Sequence, residues 1–455
     1  MKIKTFYIKT FGCQMNERDS EIMAQSLGKS GYQPGTDLYE ADLVILNTCS
    51  IRAKAEQKVM SLLGYLRKAK TKNPSMQICV AGCVAQQEGG RIIKRMPHVD
   101  LVIGTQNIYK IGTLIEEVKT TGKQVVTSLE DDYVIPHVLP EVAIEKSNDF
   151  LMDEYIHPPD YAKFVTIMQG CNNYCTYCVV PYTRGREVSR KNNDIIDEVK
   201  VLIRSGVKEI TLLGQNVNSY GKTNKVSGSA AYNFSNLLRD VSRVEGLERL
   251  RFTTSNPKDL TDELMQCFAD IKNLCPQFHL PVQSGSNAIL KKMNRKYSIE
   301  QYLNHVDNLQ KYCPEIALTT DVIIGFPGEK DVDFRNTMKL LNDVRFHGSF
   351  SFKYSDRPGT AASTFKDKVE ETVKSERLAV FQERQDEISL SRNMEYVGEV
   401  KKILIERCEK DGCRGRTDTN HIVHLENCSA FQGGELVDVK IKHAGQHSLQ
   451  GIINK

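Results

Sequence analysis

The spacing of apolar positions changes character along the chain. Up to about residue 104, short apolar runs at 3–10, 42–47 (DLVILN), 77–81 (QICVA) and 101–104 (LVIG) alternate with helix-like amphipathic stretches at 17–29 and 52–70. Runs that are apolar throughout predict strands buried on both faces, and helices between them predict a parallel, doubly wound α/β domain over 1–120. Between 121 and 160 the periodicity stops and acids and prolines gather (SLEDDYVIPHVLPE, DEYIHPPD), the composition of a linker. A second alternation fills 161–390, with strands expected at 164–168, 209–213, 249–253, 277–280, 317–324 and 348–354 and a charged helix at 366–392. Six such βα units make a partial (βα)6 barrel, whose active face is the carboxyl end of its strands. From 391 to 455 the period shortens to two, in EVKKILIER, HIVHL and ELVDVKIKH, which predicts a small β-barrel.

Composition narrows the class without naming the chemistry. At 455 residues the chain has room for about three domains. Its 61 basic and 57 acidic side chains leave a net charge of +4, too slight to announce a nucleic-acid partner without a local motif. No apolar run approaches the roughly 20 residues that span a bilayer, and the start MKIKTFYIKT lacks the apolar core of a signal peptide. A cytoplasmic protein with no membrane association is expected, and a monomer, since no exposed apolar stripe suggests otherwise. Thirteen cysteines is an odd number, which points away from a disulfide framework and toward metal or redox chemistry.

Cys171, Cys175 and Cys178 stand in CNNYCTYC, directly after the first strand expected in the second domain. Three thiolates on one loop can hold three corners of a [4Fe–4S] cube and leave the fourth iron open to chelation by a small molecule. Structural zinc needs four ligands, usually in C-x₂₋₄-C pairs repeated at a distance, and no fourth Cys or His follows this loop closely. CxxxCxxC in this position resembles the radical S-adenosylmethionine (SAM) superfamily. The resemblance implies that the open iron binds the amino and carboxylate groups of SAM, and that an electron from the reduced cluster releases a 5′-deoxyadenosyl radical. It also implies a flavodoxin-like or ferredoxin-like electron donor, given the low potential of such cubes. It sets the backbone of Tyr177 against the adenine and suggests further SAM contacts at strand ends: Gly214 and Gln215 in LLGQN, Ser255 in TTSNP, Gln283 in LPVQSG and Gly325 in IIGFPGE. Each of these also serves as an ordinary turn or capping residue.

Cys13 in TFGCQMNERDSE, Cys49 in LNTCSIRAKAEQKV and Cys83 in VAGCVAQQ each follow one of the first three expected strands, and loops at the carboxyl ends of parallel strands meet at one crevice. Together with CNNYCTYC and the tail, these segments resemble the methylthiotransferases nearly end to end. The resemblance implies a second [4Fe–4S] cluster on Cys13, Cys49 and Cys83, again with an open iron, where the inserted sulfur is carried and methylated. Adenine C2–H has no proton that a His or Glu could usefully remove, so the chemistry falls to the clusters and SAM and no side chain is assigned as catalytic. Cys49-Ser50-Ile51-Arg52 with the following AKAEQKV, and FKYSDRPGTAAS from Phe352, resemble the branch that methylthiolates C2 of N6-dimethylallyladenosine just 3′ of the anticodon. In that branch one SAM donates the methyl group and a second is the radical source, and the partner is a tRNA anticodon stem-loop. Branches acting on threonylcarbamoyladenosine or on a ribosomal protein carry other residues after that cysteine. An RNA-binding protein with merely structural clusters is the alternative of another class, and the missing fourth ligand argues against it.

In the tail, CRGRTDTN at 413–420 and HSLQG at 447–451 resemble the TRAM domain, a small RNA-binding barrel. Arg414 and Arg416 alternate on a strand and so share a face, as two cations must to straddle a phosphate backbone. A charged edge strand that resists aggregation accounts for them equally, and ten basic against nine acidic residues from Leu390 onward give no basic excess. The family usually has Arg at the position of His421 and His at that of Asn256. Arg184, Arg186 and Arg357, in YTRGRE and SDRPGT, are candidates for ordering SAM or the anticodon arm, or for salt bridges. Cys79, Cys267, Cys275 and Cys313 read as small buried hydrophobes. Cys408, Cys413 and Cys428 are spaced loosely among His421, His424 and His443, which either a zinc site or plain strand alternation explains.

Overall fold

The computed structural model describes residues 4–50, 53–140, 161–223, 232–409, 412–426, 428 and 431–454. These fall into two compact units, one of 4–140 with Phe164–Asn172 and Val179–Val201, the other of 161–163, Asn173–Cys178 and the chain from Leu202 onward. In the first unit six strands, β1 (Lys4–Thr10), β2 (Tyr32–Pro34), β3 (Leu43–Thr48), β4 (Gln77–Gly82), β5 (Leu101–Ile103) and β6 (Gln124–Val126), form one sheet in the order β2-β1-β3-β4-β5-β6. Every pairing is parallel. Helices α1 (Gln14–Lys29), α2 (Ala53–Lys72), α3 (Cys83–Glu88), α4 (Gly90–Arg95) and α5 (Ile111–Thr121) supply the crossovers.

Alternate strand positions face opposite sides, so a sheet apolar at every position needs a cover on both. Phe6, Ile8, Leu43, Ile45 and Cys79 pack against Met23 and Leu27 of α1 and Ile111 and Ile115 of α5. Tyr7, Val44, Leu46, Ile78 and Val80 pack against Val59, Leu63 and Leu66 of α2. At roughly 1.5–3 kcal/mol for each large apolar side chain buried, these two layers are what hold the sheet. The doubly wound domain expected from the sequence is therefore observed, with one extension. Gln124–Val126 lies in the stretch expected to be linker but pairs with β5 as an edge strand, too short for its pattern to be legible. The rest of that stretch from 141 lies outside the described residues.

Next in the chain come β7 (Ala162–Thr166), the antiparallel pair β8 (Met168–Gln169) and β9 (Val188–Ser189), and helices α6 (Val180–Thr183) and α7 (Asn192–Arg204). In the second unit β10 (Glu209–Leu213) pairs in parallel with β11 (Arg249–Thr253), and β12 (Gln277–His279), β13 (Ala317–Ile324) and β14 (Gly348–Lys353) form a parallel sheet in that order. Isolated parallel bridges at Leu250–Leu274 and Gln283–Val322 extend the ladders. Helices α8 (Phe234–Ser242), α9 (Asp262–Asp270), α10 (Asn287–Lys292), α11 (Ile299–Tyr312) and α12 (Asp331–Val344) alternate with these strands, and α13 (Glu371–Met394) follows. α13 begins five residues later than the 366 expected from the sequence, because Glu370 is still extended at φ −58°, ψ 143°.

The tail closes into a five-stranded barrel, β15 (Val400–Glu409), β16 (Gly412–Arg416), β17 (Ile422–Leu425), β19 (Ser448–Ile453) and β18 (Leu436–Ala444) in that spatial order. Its interior is filled by Ile403, Ile405, Val423, Val439, Ile441 and Leu449. Two buried arginines of β11 dock it within the same unit. Arg249 donates to the carbonyls of Arg416 (2.8 Å) and Lys402 (2.7 Å), and Arg251 to those of Asp418 (2.6 Å) and Thr417 (2.7 Å). Glu209 accepts from Arg251 Nε at 2.9 Å and so compensates the buried charge.

Candidate functional site

In the first unit the strand order reverses between β1 and β3, and parallel sheets bind ligands outside the carboxyl ends at such a switch point. Cys13 precedes α1 directly after β1, Cys49 follows β3, and Cys83 opens α3 after the adjacent β4. Two glycines make room for them. Gly12, at φ +121°, lies so close to Cys49 that a Cβ would stand 2.2 Å from its Cβ, and Gly82, at φ +89°, presses on the backbone of Thr48. Any L-residue would be strained there and would push the loops apart.

The charge of Arg184 favours the thiolate form at two of the three cysteines. A hydrogen bond from Cys49 lowers the Cys13 thiol to about 6 against the effect of burial, with help from the Arg184 charge. Cys83 is raised by burial, and Arg184 offsets part of that rise. Arg184 is itself buried, donating to Asp19 (2.7 and 3.3 Å) and to Asn16 Oδ1 (3.2 Å). Burial works against its charge, but Asp19 and then Cys83 outweigh it and hold the guanidinium well above its ordinary value. Three sulfurs at one crevice with a fixed cation among them suit an anionic iron–sulfur cube. Nothing in the sequence around Arg184 ties it to Cys13 and Cys83, 171 and 101 residues away in the chain. Its place among them is a finding of the structure.

Cys171, Cys175 and Cys178 are all half-buried, which leaves their sulfurs within reach of a ligand. Cys175 and Cys178 sit in one tight turn, the N–H of Cys178 donating to the Cys175 carbonyl at 2.9 Å. Arg295 is a residue that sequence reasoning missed. It is held by the Pro281 carbonyl (2.9 Å) and the Tyr297 hydroxyl (3.0 Å) and donates to Cys175 Sγ at 3.5 Å. A cationic donor aimed at a sulfur suits a ligand of an anionic cluster. Tyr177 turns its ring inward, edge-on to Phe326 with centroids 6.4 Å apart.

The other expected SAM contacts occupy the carboxyl ends of the second unit's strands. Gly214 exchanges hydrogen bonds with Thr253 and Thr254 (3.2 and 3.3 Å), and Gln215 follows it. Gln283 adopts φ +70°, paired through its backbone to Asp321 and Ile323, and Gly325 adopts φ +71°. Ser255 is buried with its hydroxyl unpartnered, and the same holds for Oδ1 of Asn216 and of Asn218 after β10. Buried polar atoms are nearly always satisfied, so three orphans at the ends of two adjacent strands fit a polar ligand such as SAM. The Asn pair in GQNVNSY was legible only as an Asx turn.

The arginines assigned to RNA share an outer face of β16, as their alternation predicted, but Glu406 lies between them, 3.3 Å from Arg414 Nε and 2.7 Å from Arg416 Nε. Arg357 stands in the turn after β14, its carbonyl accepting from Thr360, and Arg186 is exposed, 3.9 Å from Asp131. Cys79, Cys267, Cys275 and Cys313 are buried as expected.

This arrangement is the fold of a radical SAM protein. The model of the Radical SAM superfamily matches residues 165–341, and that of the Uncharacterized protein family UPF0004 matches 5–104. Among solved structures the chain resembles the radical S-adenosylmethionine methyltransferase TsrM from Kitasatospora setae, solved with cobalamin and a [4Fe–4S] cluster, at TM-score 0.56 and 14% identity, covering 80% of this chain and 77% of that one. It is 60% identical to the tRNA-2-methylthio-N(6)-dimethylallyladenosine synthase of Desulfotalea psychrophila, over 100% of this chain and 99% of that one. The Syntrophobacter fumaroxidans protein of the same name is 46% identical over 98% and 94%. The chain belongs to the tRNA-2-methylthio-N(6)-dimethylallyladenosine synthase family.

Proposed function

We propose that this protein inserts a methylthio group at C2 of N6-dimethylallyladenosine, next to the anticodon of tRNA, using two [4Fe–4S] clusters and two molecules of SAM. The observation that carries the reading is the placement of Cys13, Cys49 and Cys83 around a strand-order reversal with Arg184 fixed among them, a ligand set separate from CNNYCTYC. Bound at these sites, a reduced cluster with SAM supplies the radical that breaks an unactivated C–H bond, and the second cluster supplies the sulfur.

The chain's own residues bind, orient and hold charge. Arg184 favours the ionised form of Cys13 and Cys83, and Arg295 donates a hydrogen bond to Cys175 Sγ. Ser255, Asn216 and Asn218 meet the polar groups of SAM, with Gly214, Gln215, Gln283 and Gly325 shaping the backbone around it and the main chain of Tyr177 against the adenine. Register aligns Asp321 with Phe350 and Ile323 with Phe352 on β13 and β14, and both phenylalanines are exposed, 57% and 41%. Such rings on a strand of this sheet offer faces to a base and its dimethylallyl group. Arg414, Arg416 and Arg357 contact the anticodon arm. The protein works as a cytoplasmic monomer fed by a flavodoxin- or ferredoxin-type donor; among the described residues no helix is long and apolar enough to cross a membrane.

Mass spectrometry of tRNA nucleosides from cells lacking the gene tests this. Loss of the 2-methylthio group with dimethylallyladenosine retained supports the assignment. Its persistence, with the loss appearing on threonylcarbamoyladenosine or on a ribosomal protein instead, overturns it.

A further inference from the structure

The C-terminal barrel holds a cysteine cluster that neither iron site uses. Cys408 near the end of β15 and Cys413 on β16 are directly opposed across a hairpin, and Cys428 follows β17. The three Sγ atoms lie within 4.8 Å of one another. His421, His424 and His443 do not join them, so the loose mixture read from the sequence resolves into three thiols, and strand alternation alone does not account for their convergence. Gly412, at φ +154°, permits it: a Cβ there would meet the Leu425 carbonyl at 2.6 Å, so only glycine lets β16 begin this close to the end of β17.

One disulfide, between Cys408 and Cys413, accounts for only two of these three sulfurs. Cys413 lies against both Cys408 and Cys428, and one sulfur can form only one disulfide bond. The Cα atoms of Cys408 and Cys413 are 4.1 Å apart, below the roughly 4.4–6.8 Å usual for a disulfide. Three thiols against one another are what a thiophilic cation gathers, and C-x₄-C across a hairpin is a spacing that zinc takes. Cys413 and Cys428 are buried in the barrel core beside Phe431, while Cys408 is half-buried, so that a water supplies the fourth ligand zinc takes. We propose that Cys408, Cys413 and Cys428 form a three-thiolate site for a thiophilic divalent cation, of which zinc is the probe, tying the β15–β16 hairpin to the segment after β17.

The test uses the full-length protein, purified anaerobically, with its iron and sulfide reconstituted, exposed to zinc and passed over a chelating resin. Elemental analysis should give about one tightly held zinc per chain, with sulfur scatterers at about 2.3 Å in zinc-edge X-ray absorption. In C408S, at the half-buried position, retained zinc should fall about tenfold with iron and sulfide unchanged. C428A, which keeps an apolar packing atom, should behave alike, so a folding failure of one variant leaves the other to decide. Zinc absent from the wild type, zinc coordinated only by nitrogen and oxygen, or retention unchanged in both variants overturns the site. Peptide mapping of the same anaerobic sample that finds Cys413 in a disulfide overturns it as well.

Discussion

Replacing Arg184 with methionine removes a guanidinium that is 3% exposed and leaves the Asp19 carboxylate, 5% exposed, without its hydrogen-bonded partner and with only the more distant Arg18 charge to offset it. The pair is bidentate at 2.7 and 3.3 Å and shares Asn16 as a third partner. Breaking a buried pair on one side costs about 3–5 kcal/mol, because the remaining charge stays desolvated. In the double variant R184M/D19N no charge is stranded, and stability should return to within about 1–2 kcal/mol of the parent. Hydrogen exchange of α1 and the loop after β1 in cluster-free protein reads these values locally. Cluster binding should behave differently from stability. Cys13 and Cys83 both lose a cation that favours their thiolates, so the double variant, though refolded, should lose about half its iron after anaerobic reconstitution. A cost below about 1 kcal/mol in R184M would show that the pair carries no buried charge. A full iron complement in the double variant would show that Arg184 is a packing residue only.

Three further outcomes are expected. His347 and His421 meet edge-on with centroids 5.8 Å apart, Nδ1 of His347 accepts the Leu318 N–H, and burial lowers the two rings to about 3 and about 4, which keeps them neutral. Because the folded values lie below the unfolded one of about 6.5, the stability they contribute is present above that pH and is lost as pH falls, by about 2 kcal/mol per ring at pH 5. Exchange protection of 417–425 should drop between pH 7 and 5, and an unchanged drop in H347Q/H421Q would refute the assignment. F350A/F352A should raise KM for tRNA carrying dimethylallyladenosine by about tenfold while iron content and SAM cleavage without tRNA stay constant; an unaltered KM would remove these rings from the substrate's path. Replacing Arg251 by leucine removes the nearer of Glu209's two arginine partners and should cost about 3 kcal/mol in the second unit, read by thermal melting, with E209L/R251L recovering most of it.

The strands of both units were legible because burial on two faces imposes unbroken apolar runs, as in LVILN and ALTTDVII. The sequence also names six candidate ligand cysteines, and the structure places Cys13, Cys49 and Cys83 after β1, β3 and β4 as expected. The short strands β2 and β6 were not legible, since three residues show no period. Arg184, Arg295 and the Asn216–Asn218 pair were hidden for another reason. Each acts on residues distant in the chain, or through a buried atom left unpaired, and neither is a property of local sequence. The convergence of Cys408, Cys413 and Cys428 likewise depended on strand register, which a 14-residue interval between the last two leaves open.

The C-terminal barrel is anchored by Arg249 and Arg251 to four main-chain oxygens and to none of its side chains. Carbonyls persist whatever residue carries them. Substitutions across the outer strands can therefore accumulate without loosening these bonds, and the outer surface of the module can change while its mounting stays the same.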